Sequence, residues 1–364
     1  VTIVAHSRPF IVGVDAHAKS HTLSILVAAT GELVDVQQFH ASEAAMARAV
    51  AWVARRTGGD LAVLWVIEGV GSYGARLASI VVDVGYEVVE APRMNARGNR
   101  GVGKSDPLDA HRIAAAVLPL DSDQLRRPRR DDGVPAAVRV LLVARDSMTT
   151  ERTGHINSLT ALVRAADLGV DARRPLTTAQ IAEISRWRPR GEDIGLATAR
   201  AEAVRVAKRI AALDDEIAAN TANTTALLKQ SPARVLIKKT GIGPVTAAVV
   251  LAAWSYPGRL RNEAAFASLA GVNPIPASSG NTVRHRLNRG GDRRVNQALH
   301  MAVITRMAHH AETRAYVDKR LADGLTKREI RRLLKRYLSR QIYRALEAAA
   351  REITSMTDVT TRPA

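Results

Sequence analysis

Four acidic residues near the start of the chain have the types and spacing to do phosphodiester chemistry. Asp15 ends the apolar run Phe10–Val14, and Glu68 ends Leu61-Ala-Val-Leu-Trp-Val-Ile67. If those runs are neighbouring strands of one sheet, both carboxylates leave it at the same edge. Asp106 and Asp109 stand three residues apart at a helix start and so share a helix face. Four carboxylates converging at the end of a sheet suit two hard divalent cations. Magnesium prefers carboxylate oxygens and water, and a metal pair activates a nucleophile while stabilising the leaving oxygen. Each acid also has a structural explanation. Asp106 before Pro107 is a good N-cap, Asp109 in a first turn favours the helix dipole, and acids at strand ends are often simply exposed.

A second candidate group lies far down the chain. Ser278-Ser279-Gly280 sits in a loop with Pro274, Pro276 and Asn281, followed by Arg284, Arg286 and Arg289. A serine nucleophile needs an exposed hydroxyl, a route for its proton and positive charge beside the phosphate. His285 is the one histidine beside it in sequence. Taken alone, Ser-Ser-Gly is a turn signal.

Elements for holding a polyanion surround this loop. Gly241-Ile242-Gly243-Pro244 opens an apolar helix and resembles a helix-hairpin-helix turn, whose N–H groups can hold a phosphate without reading sequence. An ordinary loop with Pro in the first turn explains the same residues. The helix Lys327–Tyr337 places Ile330, Leu333, Leu334 and Tyr337 on a core face. That leaves Lys327, Arg328, Arg331, Arg332, Lys335 and Arg336 for salt-sensitive, sequence-neutral binding, or for a merely solvated surface. Arg293 and Arg294 belong to the same basic stretch. Another basic loop, Arg93 to Lys104, precedes the Asp106 helix.

Net charge locates this footprint. The chain has 364 residues with 53 Lys+Arg, 35 Asp+Glu and a formal net charge of +18. From Arg284 to Arg344 there are 17 Lys/Arg and 5 Asp/Glu, a net of +12. A localised excess of this kind marks a polyanionic partner. Aromatics are only 4% of the residues, which disfavours a surface that stacks single-stranded bases. With no cysteine, disulfides, thiolate zinc sites and cysteine nucleophiles are excluded. No apolar run is long enough to span a membrane, and Arg8-Pro9 interrupts any secretory leader. The expected location is therefore cytoplasmic, with the nucleoid.

The elements that would position these groups follow from hydrophobic periodicity. Strands are expected over Phe10–Val14, His21–Val27, Leu33–Phe39, Leu61–Ile67 and Tyr86–Glu90. Helices are expected over 43–56, over 73–84 and from Asp106 onward. This order gives an α/β domain with a mixed sheet over residues 1–130. Residues 131–230 read as amphipathic helices that pair in an antiparallel coiled-coil hairpin, pack against another subunit or form an intramolecular bundle, broken at Leu168-Gly169 and Arg188–Gly191. Residues 231–350 read as a mainly helical domain with loops at Tyr256–Asn262 and Gly271–Gly291, and 351–364 as a flexible tail.

The segments Ile11-Val-Gly-Val-Asp15, Glu68-Gly-Val-Gly-Ser-Tyr73 and Gly103-Lys-Ser-Asp-Pro-Leu-Asp-Ala110 resemble the DEDD-type insertion-sequence transposases. Thr240-Gly-Ile-Gly-Pro-Val-Thr-Ala247, Ser278-Ser-Gly280 and Gly290-Gly-Asp-Arg-Arg-Val-Asn-Gln-Ala-Leu299 extend the likeness to about residue 350. The resemblance implies an RNase H/RuvC-like N-terminal domain with its catalytic acids at Asp15, Glu68, Asp106 and Asp109. It also implies cut-and-rejoin DNA recombination with Ser279 as nucleophile, through a phosphoserine intermediate, with Ser278 as the competing position. Implied partners are double-stranded DNA at element ends and targets, a structured non-coding bridge RNA, and further copies of the chain in a dimer or tetramer. Two other readings of the residues stay open: a RuvC-like nuclease that uses water, such as a junction resolvase, and a non-catalytic nucleic-acid-binding protein.

Overall fold

The computed structural model describes residues 2–92, 105–130, 132–278 and 285–360, with side chains described up to residue 355. Lys104, Ser279 and Arg284 therefore lie outside the described residues. The chain divides into two compact units. One comprises Val1–Asp131 with Trp254–Phe266; the other comprises Asp132–Ala253 with Ala267–Ala364.

In the first unit a short helix α1 (Val4–Ser7) leads into β1 (Phe10–Ala16), β2 (Ser20–Val27) and β3 (Leu33–His40). Then follow α2 (Glu43–Arg56), β4 (Leu64–Ile67), α3 (Ala75–Val84), β5 (Glu87–Glu90) and α4 (Asp106–Ala115). The five strands form one sheet in the order β3-β2-β1-β4-β5. β1 and β2 pair antiparallel, as do β2 and β3, whereas β4 runs parallel to β1 and β5 parallel to β4. The α/β mixed sheet expected from the sequence is thus present, and most of the remaining chain is helical. β4 begins at Leu64, because Asp60–Val63 make a turn before the strand pairs.

Strand alternation sorts the core into two layers. Val12 and Val14 of β1, with Trp65 and Ile67 of β4, pack in one cluster with residues of α2 and α3. Ile11 of β1, with Leu64 and Val66 of β4, joins Ile113 and Ala114 of α4 in the other. On β1 the odd-numbered positions therefore face α4. Gly13 is one of them, and it lets α4 lie directly on the strand.

The second unit opens with two long helices, α5 (Gly133–Ala165) and α7 (Ile194–Lys229), with α6 (Thr178–Ile184) between them. Their cross-contacts run in opposite order along the two helices. Asn220 donates to the Leu141 carbonyl at 3.0 Å, Arg145 to the Ile217 carbonyl at 3.2 Å, and Arg209 to Glu151 at 2.7 Å. The pair is an antiparallel helical hairpin. α6, capped by Thr177 and Gln180, closes its far end over Leu159, Val163, Ala207 and Ile210.

After α7 come α8 (Pro244–Trp254), α9 (Glu263–Leu269), β6 (Pro274–Pro276) and β7 (His285–Leu287). The chain ends with α10 (Arg293–His309), α11 (Ala311–Ala322) and α12 (Lys327–Thr360). Two corrections to the sequence reading arise here. The stretch Gly271–Gly291 is not all loop: β6 and β7 form a small antiparallel hairpin, whose shortness hides it from any periodicity test. Helix α12 also continues to Thr360, into the stretch read as a tail, and its buried positions Ile330, Leu338, Ile342 and Leu346 recur at helical spacing.

Candidate active site

The sheet topology settles where the strand-end acids lie. In the β1–β4 pairing Val14 stands opposite Ile67, and the Glu68 N–H donates to the Val14 carbonyl at 3.0 Å. Asp15 and Glu68 thus follow one another at the same sheet edge. Asp15 is an odd position of β1, so it continues the face that packs on α4. Its side chain is only 8% exposed. Glu68 is exposed just beyond β4.

Helix α4 delivers the other two acids. Ser105 is its N-cap residue and Pro107 lies in its first turn. Asp106 is the first helical residue, so the N-cap role read from the sequence belongs to Ser105. The positions Asp106, Asp109, Ala110, Ile113 and Ala114 have the spacing of one helix face. Ala110, Ile113 and Ala114 are fully buried, which turns that face onto the sheet. Asp106 accepts a hydrogen bond from Gln38 Nε2 of β3 at 3.3 Å, and Asp109 pairs with Arg112 at 3.2 Å.

A residue that sequence reasoning missed completes this corner. His17 Nε2 lies 3.0 Å from Asp15 Oδ2 and 3.9 Å from Asp106 Oδ1. Asp15, His17 and Asp106 together bring three potential metal-ligand atoms within 4.8 Å of one another. The period-2 spacing from Asp15 was the available signal, but it required knowing that odd positions face α4. Burial pushes the Asp15 carboxyl above its ordinary range; His17 opposes that shift, and the charges of Asp106 and Asp109 add to it. An added cation relieves this repulsion, so the donor set fits a hard divalent ion.

In the second unit, β6 and β7 flank Ser278-Ser279-Gly280 in sequence. Ser278 is exposed at the end of the described stretch after β6. Beside the hairpin lies a cavity of about 700 Å³ lined by Ile275, Arg286, Leu287, Arg289, Arg328 and Arg332, among others. Arg286 and Arg289 come from β7 and the turn after it, and Arg328 and Arg332 from the first turns of α12. Among the described residues none of these four has a carboxylate partner within ion-pair distance. Four guanidinium groups around one cavity have the charge and donor geometry that phosphate oxygens require.

The remaining basic positions differ in what they touch. Arg294 pairs with Asp146 at 2.9 Å and donates to the Leu142 carbonyl at 2.9 Å, which ties α10 to α5. Lys335 is half-buried and donates to Asn296 at 2.9 Å; burial, then Arg332 and Arg331, pull its pKa down. Arg293, Lys327 and Arg328 are exposed, Arg331 is half-buried and donates to the Lys327 carbonyl, and Arg336 is also half-buried. Tyr337 departs from the expected core face: it is 41% exposed and stacks edge-on against Tyr316, while Leu338 takes the buried position.

Gly241 has φ of 80°, and a Cβ there would approach the Ala302 carbonyl oxygen to 2.6 Å. Its glycine is thus required by packing within the protein. Gly243, by contrast, is open on its Cβ side.

A β3-β2-β1-β4-β5 mixed sheet with acids at the β1–β4 edge and on the packed helix is consistent with an RNase H-like domain. Residues 12–166 match the DEDD transposase model of the IS110 type, described as "Transposase", and residues 233–318 match "Transposase IS116/IS110/IS902 family". The chain belongs to this family of insertion-sequence transposases and is a DNA transposase/recombinase. It is 26% identical to the uncharacterized 44.8 kDa protein of insertion element IS116 from Streptomyces clavuligerus, over 88% of this chain and 90% of that one. It is 31% identical to the uncharacterized 43.6 kDa protein of insertion element IS110 from Streptomyces coelicolor, over 33% of this chain and 30% of that one. No helix among the described residues is long and apolar enough to cross a membrane.

Proposed function

We propose that this transposase cuts and rejoins DNA at its element ends and target through a covalent protein–DNA intermediate on Ser279, under the guidance of a bridge RNA. Asp15, Glu68, Asp106 and Asp109 hold the metal, with magnesium, as two ions, the expected occupant. When bound, the metal supplies Lewis-acid stabilisation of the phosphoryl oxygens. The Ser279 hydroxyl attacks phosphorus, the bond to one DNA oxygen breaks, and that oxygen leaves as a hydroxyl. A second DNA hydroxyl then displaces the serine, so no external energy source is needed. Arg284, Arg286, Arg289, Arg328 and Arg332 hold phosphate oxygens, and Lys104, Arg293, Lys327, Arg331 and Arg336 add sequence-neutral affinity. Gly241 and Gly243, in the helix-hairpin-helix-like turn, offer backbone N–H groups to a phosphate, while Arg294 and Lys335 act in DNA binding through the helices they anchor. The protein works as a dimer or tetramer, because strand exchange needs several cleavages in one synapse.

The observation that carries this reading is the four-arginine cavity beside the β6–β7 hairpin, whose strands flank Ser279 in sequence, in a family whose reaction is DNA transposition. Incubating the full-length protein with element-end DNA, candidate RNA and magnesium, then denaturing, tests it. Protein–DNA adducts that vanish in Ser279→Ala and persist in Ser278→Ala support the serine assignment. Cleavage unchanged by Ser279→Ala would sink it in favour of attack by water. Adducts formed equally well without RNA would remove the guide.

A further inference from the structure

We propose that His17 is a metal ligand of the acidic site, so that the site offers a mixed oxygen and nitrogen donor set from Asp15, His17 and Asp106. The inference rests on the proposed metal role of Asp15 and Asp106 and adds a residue to it.

Geometry is the first support. Two ligands in adjacent positions around an octahedral ion, each about 2.1 Å from the metal, are about 3.0 Å apart. Asp15 Oδ2 and His17 Nε2 already have that separation, 3.0 Å. Asp106 Oδ1, 3.9 Å from His17 Nε2, needs a movement of under about 1 Å to join them. Among the described residues its carboxylate accepts one hydrogen bond, from Gln38, and it is half-exposed, so it can make that movement.

Placement is the second. His17 stands where β1 turns toward β2, and its N–H donates to the Ser20 carbonyl at 3.0 Å. The backbone of this turn is fixed, while the side chain is 52% exposed and open to an incoming ion. His21, a nearby histidine in β2, is buried and does not belong to the donor cluster. A histidine that only oriented Asp15 would need no position within reach of Asp106 as well.

The donor set predicts a metal preference. Replacing one oxygen by an imidazole nitrogen favours first-row transition ions over magnesium. The site should therefore bind Mn2+ at least about tenfold more tightly than Mg2+, and His17→Ala should weaken Mn2+ about tenfold or more while affecting Mg2+ less.

The test uses Mn2+ and the full-length protein, read by pulsed electron paramagnetic resonance. The expected result is the nitrogen coupling of a directly bound imidazole in the wild type, lost in His17→Ala and retained in His21→Gln. His17 is half-exposed, so His17→Ala should remain folded, with at most a modest loss of melting temperature from the lost Asp15 contact; His17→Asn is the second variant, and it too should lose the coupling. Mn2+ bound in an Asp15-dependent way without nitrogen coupling would overturn the His17 assignment and leave the carboxylate site standing. Coupling that survives both His17 variants would also overturn it. Mn2+ binding that is absent, or indifferent to Asp15→Asn, would overturn the metal reading and this inference together.

Discussion

Gly13 on β1 lies so close beneath Ala110 on α4 that a Cβ at position 13 would stand 2.1 Å from the Ala110 carbonyl oxygen. It would also stand 2.5 Å from the Ala114 nitrogen. Both obstacles are backbone, so neither can turn aside. The same close approach sets Asp106 and Asp109 beside Asp15. Gly13→Ala should therefore destabilise the protein by at least ~2 kcal/mol through overpacking and push α4 off the sheet. Thermal melting reports the first effect and divalent-ion binding the second. A variant that melts like the wild type and still binds metal would show that α4 does not depend on this contact.

Asp15 makes the metal-free site sensitive to pH. Its pKa is raised by burial and by Asp106 and Asp109, against the opposing pull of His17. A carboxyl whose folded pKa is raised contributes stability at low pH, where it is neutral, and loses it as pH rises through the folded value. In chelator at neutral pH, Asp15→Asn should accordingly melt a few degrees above the wild type, and the two should converge in acid. Added magnesium should reverse the neutral-pH order, since the wild type gains an ion that the variant does not hold. Cleavage should be lost in the variant throughout. An Asp15→Asn protein that melts below the wild type in chelator at pH 7 would refute the repulsion.

Within the first unit, the segment Trp254–Phe266 brings Arg259 to Glu90 at the end of β5. The Arg259 side chain is 3% exposed, its guanidinium lies 3.1 Å from the carboxylate, and burial pulls its pKa down. Removing the acid leaves a buried charge, whereas removing the arginine leaves a partly exposed carboxylate. Glu90→Gln should cost about 2–4 kcal/mol, more than Arg259→Met. In the double variant the penalties should fail to add by at least about 1 kcal/mol. Denaturant melts of the four proteins check this, and simple additivity would rule out the coupling.

The arginines around the hairpin cavity and Arg294 should separate in binding assays. Arg286→Gln and Arg332→Gln should each weaken duplex binding and reduce the salt slope by about 1 in log–log form, with little change in melting. Arg294→Gln should instead lower the melting temperature, because it breaks the contacts to Asp146 and the Leu142 carbonyl. Fluorescence anisotropy over a salt series, with melts in parallel, distinguishes the two. Equal salt slopes for all variants would remove the cavity from the interface.

Much of the first unit was legible in the chain. Alternation marked β2 and β3, the Ser42-Glu43 start and Gly58-Gly59 stop bounded α2, and two apolar runs ending in acids announced the sheet edge. Those signals are local: a period of two or a cap depends on neighbouring residues only. The charge excess from Arg284 to Arg344 was equally visible, because net charge needs no coordinates.

What the tertiary structure alone decided was which groups meet. Pairing of β1 with β4 put Glu68 next to Val14, and the packing of α4 on odd β1 positions selected His17, which in sequence is an ordinary turn histidine. Arg294 and Lys335 read as free cations until α10 and α12 packed and gave them partners, and Tyr337 lost its core place to Leu338 by one helical position. Residue type and spacing fix a side chain's chemistry and local face. Whether that face meets an acid, a cavity or solvent depends on long-range packing, in which one glycine under a helix backbone brings the carboxylates together.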